Sequence, residues 1–121
     1  MKMGLVGQKL GMTRVFNEDG SAFAVTVIEV SPNFITQIKT ISTDGYNAVQ
    51  VSIGKRKPNH LTKALIGHFA KSSIPVGKVL REFRLPSEDI EKYKIGESIS
   101  VSLFEEGQHV DVRGRTIGKG F

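Results

Sequence analysis

Phe34-Ile35-Thr36-Gln37-Ile38-Lys39-Thr40-Ile41-Ser42-Thr43-Asp44-Gly45-Tyr46-Asn47-Ala48-Val49-Gln50-Val51-Ser52-Ile53 reads as two β-strands folded about a polar loop that closes on Asp-Gly. Glycine takes the left-handed conformation that a short hairpin needs. In the second strand Val49, Val51 and Ile53 point one way and Ala48, Gln50 and Ser52 the other, the period of a sheet with one wet face. The same signature occurs upstream, where Met12–Phe16 runs into Asn17-Glu18-Asp19-Gly20. Two antiparallel hairpins are therefore expected in the first half of the chain.

Working outward, Ala24–Val30 is apolar on both faces apart from Thr26 and Glu29, the composition of a central strand, and Pro32 ends it because proline cannot donate to a ladder. Near the other end Ile99, Val101 and Leu103 alternate with Ser98, Ser100 and Ser102, which predicts a half-buried strand with a hydroxyl-lined outer face. Two short helices are expected between strands. One runs from Thr62 to about Lys71; the other has Ser87 as N-cap, acids in its first turn and Gly96 as its stop after Tyr93. Short, closely spaced strands with little helix define a mainly β fold, a small antiparallel barrel or sandwich with helical insertions.

The 121 residues hold one domain, 1–121, with one modest core. The chain has no cysteine, which excludes a disulfide framework, a thiolate metal site and a thiol nucleophile. No apolar run approaches the roughly 20 residues of a membrane span, and a cytoplasmic protein without a membrane partner is expected. His60, His68 and His109 are too scattered for a helical metal pair, and no carboxylate pair or serine sits in a catalytic context. Gly118-Lys119-Gly120 lacks the following Ser/Thr and the strand-to-helix setting of a nucleotide-binding loop. The reading is of a non-enzyme with no cofactor, metal or small-molecule substrate.

The formal charge of +5 is zoned. Residues 54–81 carry Lys55, Arg56, Lys57, Lys63, Lys71, Lys78 and Arg81 and no acid, whereas 82–112 carry eight acids against three bases. A solvated lysine-rich loop normally intersperses acids, so 28 residues without one point to a polyanion on this side of the molecule. Phe69, inside that excursion, stands either in the core or stacked on a base. The closing run Asp111-Val112-Arg113-Gly114-Arg115-Thr116-Ile117-Gly118-Lys119-Gly120-Phe121 interleaves cations with glycines, as suits an arm that follows a phosphate backbone, and it reads as a lead-in to more chain.

Several blocks also carry a resemblance. Gly4-Leu5-Val6-Gly7-Gln8-Lys9-Leu10-Gly11-Met12-Thr13-Arg14-Val15-Phe16, Asp44-Gly45-Tyr46-Asn47-Ala48-Val49-Gln50-Val51, Gly67-His68-Phe69-Ala70-Lys71, Glu82-Phe83-Arg84-Leu85 and Gly96-Glu97-Ser98-Ile99-Ser100-Val101 fall in the order seen in the ribosomal protein L-three family of the bacterial large subunit. The family's signature is met by Phe104, Asp111, Gly114, Thr116, Gly118, Lys119 and Gly120, and it should continue through a further glycine to an arginine. The resemblance implies an amino-terminal fragment of a translation-factor-like β-barrel, incomplete here, whose remainder would hold the closing strands and an extension toward the peptidyl transferase centre. It also implies direct binding to large-subunit ribosomal RNA early in assembly, a structural role in the cytoplasmic ribosome, and neighbouring ribosomal proteins as partners. The expected phosphate contacts are Lys2, Lys9 and Arg14 at the amino end, the seven basic residues of 54–81, and Arg113, Arg115 and Lys119 in the arm. The reading from another class is a β-barrel interaction module whose basic loop docks an acidic protein; an enzyme such as a flavin-binding barrel stands third.

Overall fold

The computed structural model describes residues 3–121. It is mainly β, with the order β1 (Gln8–Phe16), β2 (Ala22–Glu29), β3 (Asn33–Lys39), α1 (Ile41–Asp44), β4 (Ala48–Ile53), α2 (Lys63–Lys71), β5 (Val79–Arg84), α3 (Ser87–Ile90) and β6 (Ser98–Ile99). Two antiparallel sheets form: β1 pairs with β2, and a four-stranded sheet runs β5-β4-β3-β6. Neither closes into a barrel.

Both expected hairpins are present, and both loops close on a left-handed glycine, Gly20 at φ 87° and Gly45 at φ 82°. The second loop tightens into the single helical turn of α1, whose last N–H, on Gly45, donates to the Ile41 carbonyl. The helix from Thr62 also forms, with the Thr62 hydroxyl accepting from the Leu65 N–H at 3.4 Å.

The core lies on one face of the four-stranded sheet, where Ile35, Val49 and Val51 meet Met3, Leu85 and Ile90. The expected wet face of β4 is dry. Ala48 and Ser52 are buried along with Val49 and Val51, because α2 lies over that side, its His68 ring 2.7 Å from Gln50 Oε1, and the loop after it packs on Ser52; Phe69, Ser72 and Ile74 of these segments are buried too. Phe69 is thus a core residue, 2% exposed, and its ring is not free to stack on a base. The covering loop comes so close at Gly77 that a Cβ there would collide with the Ser52 hydroxyl, and only glycine admits this approach.

Three expectations are corrected. Ala24–Val30 is not a central strand: β2 has β1 as its sole strand partner among the described residues, and Phe23, Val27 and Ile28 are exposed. The alternating run 98–103 makes only a two-residue strand, Ser98 and Ile99 against Phe34 and Asn33. Beyond it the Ser100 hydroxyl accepts from the Ser102 N–H at 3.4 Å and starts a 3₁₀ turn over Val101–Leu103; short serine side chains readily divert backbone groups from a ladder. Finally, α3 ends at Ile90, and Pro86 occupies its N-cap position in place of Ser87. The extended backbone that proline imposes makes Ser87 the first helical residue.

The two sheets are joined by a device with no periodic signal. Asn33 is fully buried, and its amide faces the backbone of Val6, accepting from the Val6 N–H at 2.9 Å and donating to the Val6 carbonyl at 3.2 Å. Its Nδ2 also reaches the Ser31 carbonyl at 2.9 Å. The side chain thereby acts as one more strand, holding the lead-in to β1 against β3.

Candidate nucleic-acid interface

The basic excursion opens where β4 ends. Its two limbs are pinned together by Lys78 N–H donating to Ile53 O at 2.9 Å and Arg56 N–H donating to Val76 O at 3.2 Å. This closure brings Lys55, Arg56, Lys57 and Lys78 to the walls of one cleft of about 540 Å³, with His60 and Val79 completing it. All four cations are exposed, and none forms a salt bridge among the described residues. Four unpaired charges this close together repel one another, so the cleft gains most from an anion that replaces their hydration.

The other expected contacts are spread around this centre. Arg81 is exposed and lies on the same face of β5 as Val79, two residues on, with its guanidinium donating to the Leu80 carbonyl at 2.9 Å. Lys63 and Lys71 stand at opposite ends of α2, about 12 Å apart at the helical rise. Lys9 and Arg14 lie on the β1–β2 hairpin. Simple alternation would put these two on opposite faces, but a bulge between Lys9 and Gly11 shifts the register. Lys9 then pairs with Ile28 and Arg14 with Ala24, which places both on one face together with Met12. Arg113, Arg115 and Lys119 are exposed on an arm without regular structure. Lys2 lies outside the described residues.

Charge zoning in sequence breaks down at β5, where Glu82 sits between Arg81 and Arg84. Glu82 pairs with Lys39 at 2.7 Å and accepts from the Tyr46 hydroxyl at 2.6 Å, while the Arg84 guanidinium lies 4.8 Å from the centre of the Tyr46 ring. Desolvation pushes the Glu82 carboxyl up, but the hydrogen bonds from Lys39 and Tyr46 and the charge of Lys39 outweigh it and hold the carboxyl below its ordinary value. The hydrogen bonds to Glu82 and Tyr46 hold the Lys39 ammonium well above its own. The acid nearest the basic zone is therefore matched locally, and Lys39 is occupied.

This pairing has a pH signature. A carboxyl depressed in the folded state contributes stability that is full above its unfolded pKa, about 4.3, and is lost as pH falls through the folded value. Lys39, raised on folding, contributes stability that is full below about 10.4 and is lost as pH rises through its folded value. Glu82→Gln should therefore be less stable than the parent at pH 7, with the gap narrowing as pH falls below the ordinary carboxylate range and through the folded value of the parent carboxyl. Urea unfolding across a pH series descending from 7 measures this, and a gap that stays constant down to acid unfolding would show that the pair contributes nothing.

Beside the cleft Pro58, Ile66, Pro75 and Val76 form an apolar wall, and neither this wall nor the place of His60 in the cleft was singled out from sequence. His60 follows Lys57 closely and was within reach of the charge argument. The wall depends on the return of residues 74–76 against 55–58, which no local pattern announces.

A mainly antiparallel β protein with an acid-free basic cleft is the class that fold and surface define. Comparison with known proteins is more specific. No family model matches the chain. Over all 121 residues it is 60% identical to the large ribosomal subunit protein uL3 of Dichelobacter nodosus, of which it covers 57%. It is 53% identical to the uL3 of Coxiella burnetii, covering 56%, and 56% identical to that of Chromohalobacter salexigens, covering 57%. The chain belongs to the uL3 family of large ribosomal subunit proteins. It spans a little over half the length of these relatives.

Proposed function

We propose that this chain is a structural, non-catalytic part of the large ribosomal subunit in the cytoplasmic ribosome, and that it binds ribosomal RNA directly and helps early assembly. The observation that carries the reading is the cleft in which Lys55, Arg56, Lys57 and Lys78 converge without an acidic partner among the described residues. Lys and Arg in this setting neutralise phosphates brought together by RNA folding, and the sheet beneath fixes where those charges stand. Shape rather than base edges sets the preference. Residues 1–121 act as one unit in this reading, supported by the Asn33 clamp between the two sheets. The acidic turn Glu88, Asp89 and Glu91 faces away from RNA, toward solvent or a basic ribosomal protein.

The test is binding to large-subunit ribosomal RNA across a salt series, beside an acidic protein of equal charge. Log K should fall linearly with log salt for the RNA, with a slope of about −0.7 to −0.9 per phosphate contact. Tighter binding to the acidic protein at every salt concentration would instead support an interaction module.

A further inference from the structure

Charge alone leaves one part of this site unused. Beside the basic cleft, and sharing Lys55 and Arg56 with it, lies a groove of about 490 Å³. Its floor is Phe69 and Ile74, both buried, and its sides include Pro58, Ile66, Pro75 and Val76. Phosphate contacts need no such surface, and neither does a solvated loop. We infer that the groove receives one unstacked RNA base, while the phosphates flanking that nucleotide lie on Lys55, Arg56, Lys57 and Lys78.

Three features support this, all resting on the RNA-binding reading above. The sides carry two proline rings, which lose no rotamer freedom on contact and offer rigid apolar faces to a base. Arg56 lies at the junction of the groove and the cleft, so one guanidinium can stack on the base or reach its phosphate. Among the described residues the only charged side chains along the groove are Lys55 and Arg56, so the site accepts any base and selects for the unstacked state. A paired helix keeps its bases stacked and has none to offer.

An acidic peptide with an apolar anchor has similar chemistry, but the backbone argues against it. An extended peptide gains most of its affinity by pairing with a free strand edge. Beside the groove the Arg56 N–H and Val76 carbonyl of the two limbs already bond each other, as do the Lys78 N–H and Ile53 carbonyl, so a peptide adding as a strand would have to use the outer edge of β5 instead.

The experiment compares two RNA hairpins of equal length and charge, one fully paired and one with a single bulged nucleotide, titrated with the chain across a salt series. Stacking of one base is worth about 1–3 kcal/mol, so the bulged hairpin should bind roughly 5- to 150-fold more tightly with a similar salt slope. Ile66→Ser should bring its affinity down to that of the paired hairpin. Val76→Ser serves the same purpose if Ile66→Ser does not fold, as judged by far-ultraviolet circular dichroism. A 2-aminopurine placed at the bulge reports the base itself, and its fluorescence should change on binding to the parent chain.

Equal affinity for the two hairpins, with the salt slope retained, would overturn the base site and leave RNA binding standing. So would an unchanged 2-aminopurine signal. Absence of salt-dependent binding to either hairpin would remove the RNA reading itself. Displacement of the bulged RNA by an acidic peptide at lower concentration than by free bulged RNA would assign the groove to a protein partner.

Discussion

Replacing Lys55, Arg56 and Lys57 together with Ala is expected to weaken RNA binding by a similar factor across unrelated RNA helices and to flatten log K against log salt by roughly 2–3 units. Each lost phosphate contact removes about 0.7–0.9 from the slope, because each had released condensed counterions. Between 50 and 200 mM salt the advantage of the parent chain should shrink by roughly 20- to 60-fold. Folding should survive. The three side chains are exposed, and the limbs they stand on are held by backbone bonds, Arg56 N–H to Val76 O and Lys78 N–H to Ile53 O, that alanine retains. Replacing Lys92 and Lys94 is the control. Lys92 pairs with Asp89 at 3.2 Å, and both lysines stand in the acidic zone, so the slope should hardly move. Equal losses from the two sets would mean that net charge alone drives binding, and an unchanged slope in the triple variant would reduce 55–57 to a solvated turn.

The contrast between these sets was legible in the sequence because charge runs and turn glycines are local. The Asp-Gly loops, the helix from Thr62 and the acid-free stretch 54–81 each depend on residues near one another in sequence, and each is found where the local chemistry puts it. Features that depend on a distant partner were not legible. Alternation in β4 correctly separates two faces but says nothing of what covers the second, and α2 arrives there, with His68 on Gln50, from 18 residues on. Likewise the apolar composition of 24–30 marks a strand, yet burial depends on how many neighbours flank it, and β2 has β1 alone.

The same limit applies within the candidate site. The block 55–57 was visible as charge, whereas its convergence with Lys78 requires the chain to return through Gly77 against Ser52. Simple alternation would set Lys9 apart from Arg14, and a one-residue bulge brings them to one face. Glu82 was counted with the acids of 82–112, although its register opposite Gln50 places it where Lys39 and Tyr46 can reach it. Linear charge counts locate a basic zone, and the sheet register decides which of its members act together.

Asn33 is where this dependence on distant partners has its largest energetic consequence. The residue follows Pro32 and has the composition of a turn, but it is fully buried and its amide completes both backbone hydrogen bonds of Val6. Asn33→Ala removes that partner and leaves a half-buried N–H and carbonyl to find others. A fully buried unsatisfied group costs about 1–3 kcal/mol; two half-buried ones fall short of the upper end, for an expected loss of roughly 2–4 kcal/mol. For a chain of this length that corresponds to a fall in melting temperature of roughly 8–20 °C. Asn33→Asp should cost a comparable amount, since a carboxylate accepts from the Val6 N–H but cannot donate to the Val6 carbonyl. Amide hydrogen exchange separates this role from generic core packing. If the clamp fixes the lead-in to β1, protection should fall first at Val6 and along β1 and β2, while Val49 and Val51 in the central strand keep theirs until global unfolding. Uniform loss of protection across both sheets would mean that Asn33 is an ordinary core residue, and a change below about 0.5 kcal/mol would mean that water replaces the amide at no cost.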